Sequence, residues 1–205
     1  MFTDFMRRAF KWFLDPVSRA LGNAGISPNA LTIIGFAMSA GVAYLLASGR
    51  FFWGAIVLLF ASAFDGLDGA LARNANRITQ FGAFLDSTLD RYSEALVYLG
   101  LVFYFGRAGQ ITLLILCYVT IIGSILVSYT RARAEGLGIA CKEGLLTRVE
   151  RVAVLILFLF INRLDIGLWI LAILANVTAL QRIYVVWRKA DAKLPAVAPT
   201  NPPQT

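Results

Sequence analysis

Four aspartates, Asp65, Asp68, Asp86 and Asp90, stand in a part of the chain that is otherwise strongly apolar. On a helix, residues three or four apart share a face, so Asp65 with Asp68 and Asp86 with Asp90 each form a carboxylate pair, and the two faces can converge. One aspartate at the centre of a membrane helix costs about 2.5–3.5 kcal/mol on insertion scales, so four unpaired ones need on the order of 10 kcal/mol of compensation. A divalent cation, or a pair of them, supplies it. The chain contains no histidine, and oxygen-only donors select a hard ion, Mg²⁺ or Mn²⁺, which binds through few carboxylates plus substrate phosphates. The same absence excludes histidine-activated nucleophiles, histidine general bases and the common zinc sites. Chemistry here rests on carboxylates and cations. Gly66, Gly69, Ala72 and Gly82 remove bulk between the pairs, which serves either close helix packing or the approach of a ligand to the backbone.

A second set of charged residues lies further along. The stretch "SYTRARAEGLGIACKEGLLTRVERVAVL" carries Arg131, Arg133, Lys142, Arg148 and Arg151, and Arg182 follows in "ALQRIYVVW". Loop cations are expected from membrane topology alone, but Arg133, Arg151 and Arg182 each adjoin an apolar helical segment. Guanidinium forks bind phosphate bidentately, so this cluster points to a ligand bearing its own phosphate.

The elements that position these groups are membrane helices. Of 205 residues 59% are hydrophobic, and the mean hydropathy is +0.71, far above the soluble average. Runs long enough to cross about 30 Å of hydrocarbon as helix fall near 31–49, 51–72, 79–105, 110–133, 145–162 and 166–187. The ten-residue alternation of a β-barrel is missing. The expected class is an all-α integral membrane protein with six transmembrane helices. Most Lys and Arg residues fall on one side of these spans, against Arg50, Arg107 and Arg163 on the other. The positive-inside rule then puts both termini and the aspartates at the cytoplasmic face of a multi-pass cell-membrane protein. The net charge of +7 suits anionic lipid or an anionic substrate, and no basic stripe of the nucleic-acid type occurs.

Ahead of the spans, residues 3–14 set Phe5, Met6, Phe10, Phe13 and Leu14 against Arg7, Arg8 and Lys11, the pattern of an amphipathic helix lying in the interface rather than of a cleaved signal. Residues 1–24 are therefore expected as a juxtamembrane segment, 25–189 as the transmembrane domain and 190–205, rich in proline, as a disordered cytoplasmic tail. Ser27-Pro28 is a cap before a helix-starting proline and opens the first span. Cys117 and Cys141 are too few and too separated for a disulfide framework and read as reduced thiols.

The spacing Asp65, two residues, Asp68-Gly69, two residues, Ala72-Arg73, eight residues, Gly82, three residues, Asp86, three residues, Asp90 resembles the signature of the CDP-alcohol phosphotransferases without a departure. The resemblance implies six membrane helices, a polar cavity facing the cytoplasm and a homodimer. It implies metal binding by Asp65, Asp68, Asp86 and Asp90, with two divalent ions, and makes Asp90 the base that takes the acceptor's proton. Asp68, Gly69, Ala72, Arg73 and Gly82 would receive the CDP moiety of CDP-diacylglycerol. The second stretch is similar to the phosphatidylinositol phosphate synthases of actinobacteria and the related archaeal enzymes, whose acceptor-phosphate cations map to Arg131, Arg148, Arg151 and Arg182. Arg131 stands where the mycobacterial type has lysine, and "TRVER" replaces a Glu-Arg-Pro-Glu-Arg run. Inositol 1-phosphate is the acceptor this likeness implies, glycerol 3-phosphate is its competitor, and serine, without a phosphate, suits the cluster least. Outside the family, a divalent-cation transporter explains the acidic residues but does not need Arg73 or the arginine cluster, and a non-catalytic membrane scaffold predicts that replacing Asp86 or Asp90 leaves function unchanged.

Overall fold

The computed structural model describes residues 27–74, 79–141 and 143–191, with the side chains of residues 66, 68–70 and 72–74 outside that description. The expected interfacial helix before residue 25 and the tail beyond residue 191 lie outside the described residues. Within them the fold is six helices and no strand: α1 (Pro28–Ala47), α2 (Phe51–Asn74), α3 (Gln80–Arg107), α4 (Ile111–Gly136), α5 (Arg148–Phe160) and α6 (Leu164–Asp191). Each coincides to within a few residues with one of the apolar runs read from the sequence.

Local chemistry sets the helix starts. Ser27 precedes Pro28 at the first helical position, and its Oγ accepts from the Ala30 N–H at 3.2 Å. Thr79 Oγ1 does the same for Gly82 N–H at 2.9 Å and opens α3. At the head of α5 the Glu150 carboxylate accepts from the Thr147 N–H at 2.6 Å and from the Thr147 hydroxyl, a capping box immediately before Arg148. Tight turns at 48–50, 108–110 and 161–163 make successive helices antiparallel.

The packed pairs are α1 with α2 and α3, α3 with α4, α4 with α6, α6 with α5, and α5 with α2. These contacts close a ring in the order α1, α2, α5, α6, α4, α3. The main apolar core inside it is built from Val42, Leu46, Leu58, Leu101, Phe105, Leu155 and Leu168 among others. A smaller apolar cluster of Leu31, Leu67 and Leu71 joins α1 to α2 near the opposite end. Asp65 on α2 sits between Leu58 and Leu67, and so lies in a polar layer bounded by the two.

Large apolar side chains such as Tyr44, Trp53, Phe60, Phe103, Tyr118, Ile173 and Leu180 are exposed on the outside of the ring. Such a surface has its solvent in lipid, and the chain is a membrane protein. Three helices, α1, α4 and α6, are long and apolar enough to cross a bilayer by length and composition. Of the others, Asp86, Asp90, Arg91 and Glu94 interrupt α3 and α5 has 13 residues, while the described apolar stretch of α2 is Phe51–Asp65. In α3 the groups that could do chemistry lower the hydropathy of the helix that carries them.

Helix α1 meets α3 at Gly100, where a Cβ would stand 2.4 Å from the Ala43 carbonyl oxygen and 2.8 Å from its Cα. Backbone cannot retreat as a flexible side chain can, so this contact requires glycine. Gly100→Ala gains about 1 kcal/mol of helix propensity but overpacks the α1–α3 seam at about 1–3 kcal/mol. The expected outcome is a lower thermal midpoint in detergent, and a larger residue such as Gly100→Leu should prevent recovery of monodisperse protein on size-exclusion chromatography.

Candidate active site

Asp65, near the end of α2, and Asp86 and Asp90, in the first half of α3, reach the same end of the ring because those helices run antiparallel. The capping box at Thr147 delivers Arg148 to the same level from α5. Its guanidinium joins the aspartates: Nη2 donates to Asp65 Oδ2 at 2.7 Å, and Nη1 lies 2.8 Å from Asp90 Oδ1. The Arg148 Nε is buried and has no partner among the described residues. Asp86 lies one turn before Asp90, within electrostatic reach of Arg148, Asp65 and Arg91. Arg91 stands 3.8 Å from Asp90 Oδ2 and turns its Nη1 back to the Ser87 carbonyl.

One turn deeper lies a second pair that sequence reasoning passed over. Glu94 accepts from Arg151 Nε at 2.9 Å and Nη2 at 3.0 Å, while Arg151 Nη1 donates to the Leu146 carbonyl at 3.3 Å. Arg151 is 1% exposed, and a bidentate fork is the arrangement that makes such burial tolerable. Asp86, Asp90 and Glu94 form an i, i+4, i+8 ladder on α3, opposed on α5 by Arg148 and Arg151 at i, i+3. The signal for Glu94 was its phase, four residues beyond Asp90 inside an apolar run. Against the Arg148 layer a small cavity, with about 30 Å³ of room for water, is lined by Asp65, Glu94, Arg148 and Arg151 together with Ser39, Ser62, Ser93, Tyr98 and apolar side chains. One or two waters fit that volume.

The remaining arginines are placed differently. Arg182 is 3% exposed; its Nε donates to the Glu143 carbonyl at 2.9 Å and its Nη1 to the Val127 carbonyl. It belongs to a strap from α6 onto the loop that leads into α5. Thr178 Oγ1 accepts from Leu146 N–H at 3.1 Å, Gln181 Oε1 from Leu145 N–H at 3.2 Å, and Lys189 Nζ donates to the Ala140 carbonyl at 2.7 Å. Arg131 is exposed near the end of α4 and pairs with Glu135 at 2.9 Å. The structure thus brings Asp65, Asp86, Asp90 and Arg148 together, puts Arg151 directly beneath them, and holds Arg131 and Arg182 around the α4–α6 side.

Asp68, Gly69, Ala72 and Arg73 lie on the last turns of α2, their side chains outside the described residues. Gly82 is in the first turn of α3, where an added Cβ would meet Thr79 Oγ1 at 2.9 Å and Asn29 Oδ1 at 3.1 Å.

Among the described residues no three carboxylates form a closed coordination shell. The donor chemistry nonetheless suits a hard divalent ion: three carboxylates from two facing helices, with no nitrogen or sulfur donor. Gly35 of α1 leaves room beside Asp65, since a Cβ there would stand 3.0 Å from Asp65 Oδ1.

The family model described as CDP-alcohol phosphatidyltransferase matches residues 25–189. The archaetidylinositol phosphate synthase of Pyrococcus horikoshii is 36% identical over 192 residues, 91% of this chain and 97% of that protein. The crystal structure of Mycobacterium tuberculosis phosphatidylinositol phosphate synthase with CDP-DAG bound is similar with a TM-score of 0.83 and 32% identity, over 90% of this chain and 98% of that one. The same enzyme in complex with manganese and citrate gives a TM-score of 0.81 at 32% identity, over 90% and 93%.

Because Glu94 and Arg151 satisfy each other in a buried setting, removing one strands the other. Glu94→Gln or Arg151→Met alone should cost about 3–5 kcal/mol. The double variant Glu94→Leu with Arg151→Met should cost much less than the sum, read as thermal or denaturant unfolding of the detergent-solubilised proteins.

Proposed function

The chain belongs to the CDP-alcohol phosphatidyltransferase family, and we propose that it transfers a phosphatidyl group from CDP-diacylglycerol to a hydroxyl of inositol 1-phosphate, yielding phosphatidylinositol phosphate and CMP. The observation that carries this reading is the meeting of Asp65 from α2 and Asp90 from α3 on Arg148 from α5. A carboxylate base, candidate metal ligands and a phosphate-binding fork share one small volume there.

Asp65, Asp68, Asp86 and Asp90 would hold two divalent ions, Mg²⁺ or Mn²⁺, which neutralise the donor pyrophosphate and the charge that develops on departing CMP. Arg73 adds positive charge at the nucleotide, and Gly69, Ala72 and Gly82 keep the α2 and α3 backbones open to it. A free Asp90 oxygen accepts the proton of the acceptor hydroxyl as that oxygen attacks the lipid-side phosphorus. The P–O bond to CMP breaks in the same step, since no histidine exists and neither cysteine stands at the site: Cys117 and Cys141 are both buried, and neither lines the cavity against it. Arg148 and Arg131 are the forks with most freedom to meet the acceptor's phosphate. Arg151 and Arg182 act on the same pocket mainly by fixing α3, α5 and the loop between α4 and α5.

Inositol phosphate is favoured as acceptor because relatives named for different lipids, archaetidyl and phosphatidyl, are both named for inositol phosphate. In this reading all six helices span the membrane. The sidedness of Lys and Arg places both termini and the site at the cytoplasmic face. Family membership also supports a homodimer, so one bilayer carries paired sites that draw CDP-diacylglycerol laterally from lipid.

Purified protein incubated with CDP-diacylglycerol and Mn²⁺ or Mg²⁺ should convert inositol 1-phosphate to phosphatidylinositol phosphate, detected by lipid mass spectrometry, while free inositol and serine are poor acceptors. Faster turnover of glycerol 3-phosphate would make it a phosphatidylglycerophosphate synthase instead. Excess EDTA should stop CMP release. Asp90→Asn should lower kcat by about 10²-fold or more, the span usual for loss of a general base, with CDP-diacylglycerol binding largely retained. Metal flux into proteoliposomes without any lipid product would favour a transporter.

A further inference from the structure

Two arginines, Arg151 and Arg182, are buried in or beside the site and a third, Arg148, is half-buried there, and they differ in what anchors them. Arg151 holds Glu94 and the Leu146 carbonyl. Arg182 holds two backbone carbonyls, of Val127 and Glu143. Arg148 has no carbonyl anchor among the described residues. Both of its bonds go to Asp65 and Asp90, and its Nε is left without a partner. Among the described residues its guanidinium is thus held by two carboxylates that the functional reading gives to metal.

Those two uses conflict. A small hard dication sits about 2.0–2.1 Å from each carboxylate oxygen, in the space the guanidinium approaches to 2.7 and 2.8 Å. A dication and a guanidinium so close repel strongly in a poorly solvated layer. With neither present, Asp65, Asp86 and Asp90 repel one another, and Arg91, 3.8 Å from Asp90 and beyond hydrogen-bond reach, offsets part of that repulsion, so a cation between Asp65 and Asp90 is favoured. We propose that Arg148 and the divalent ion are alternative occupants of the Asp65–Asp90 pair, the guanidinium serving as built-in counter-ion until the metal displaces it. Displacement leaves a forked cation with all its N–H groups free beside the metal centre, directed at an incoming phosphate. The metal therefore binds before the phosphate-bearing acceptor, and metal binding switches on the acceptor pocket. The inference rests on the functional reading only in taking Asp65 and Asp90 as metal ligands.

The test is a Mn²⁺ titration of the detergent-purified full chain, without nucleotide or acceptor, followed by the electron paramagnetic resonance signal of free Mn²⁺. Removing a competing internal cation should tighten metal binding, so Arg148→Gln should bind Mn²⁺ about tenfold or more tightly than wild type. Arg148→Lys keeps the charge but cannot fork between two helices and should fall between the two. If Arg148→Gln is not recovered folded, the lysine variant carries the test. Mn²⁺ affinity equal to or weaker than wild type in the recovered variant overturns the proposal. Asp90→Asn separates the two levels: Mn²⁺ binding that ignores this change removes the metal-ligand reading itself, whereas binding lost with Asp90 but indifferent to Arg148 removes the exchange alone.

Discussion

Ionised groups inside a lipid-embedded bundle must find opposite charge, and most of this architecture answers that demand. A carboxylate in hydrocarbon without a partner costs more than a helix can recover by packing. Asp65 and Asp90 therefore meet on Arg148, and Glu94 on Arg151. Since the acids come from α2 and α3 and the arginines from α5, the pairing ties three separate helices into one layer. Burying these charges adds little net stability, but leaving any of them alone would be costly, so the layer fixes which helices must be neighbours.

The rest of the fold supports that layer from both sides. Toward the far end of the ring an apolar core of leucine, valine and phenylalanine fills the middle, and a small cluster of Leu31, Leu67 and Leu71 joins α1 and α2 close to the site. The α1–α3 seam is held at backbone contact by Gly100, which sets the position of the α3 carboxylates relative to α2. On the other side α6 straps the loop that starts α5 through Thr178, Gln181, Arg182 and Lys189. That loop ends at the Thr147 capping box, so the register of Arg148 and Arg151 is set by hydrogen bonds from residues 32 to 49 positions away in sequence.

The arrangement matches the demands of phosphoryl-group transfer between a lipid-borne donor and a water-soluble acceptor. In the proposed reading the donor would arrive sideways from the bilayer and the acceptor from the aqueous face, to meet at the charged layer. A carboxylate-rich site is well suited to such chemistry because its own charge is neutralised by the cations that neutralise the substrate. When no divalent cation is bound, the same carboxylates still need a partner, which gives an arginine within reach a structural role beside the substrate contact proposed for it.

Sequence alone determined the features that depend on local spacing. Asp86 and Asp90 share a face because a helix repeats every 3.6 residues, and the six helices follow from apolar length, with the start of the first marked by Ser27-Pro28. The identity of the aspartate motif was legible for the same reason: its spacing is a property of two adjacent helices and one short connection. Partner choice was not legible. Arg151 and Arg182 read from sequence as forks for the acceptor's phosphate, yet one is held by Glu94, 57 residues earlier, and the other by carbonyls 55 and 39 residues away. Glu94 itself had no motif to announce it. Which guanidinium meets which carboxylate depends on the ring order of the helices and on a few tenths of an ångström at their seams, and neither quantity is carried by the period of a single helix. Tertiary packing therefore decided which arginines are spoken for and set Arg148 between Asp65 and Asp90.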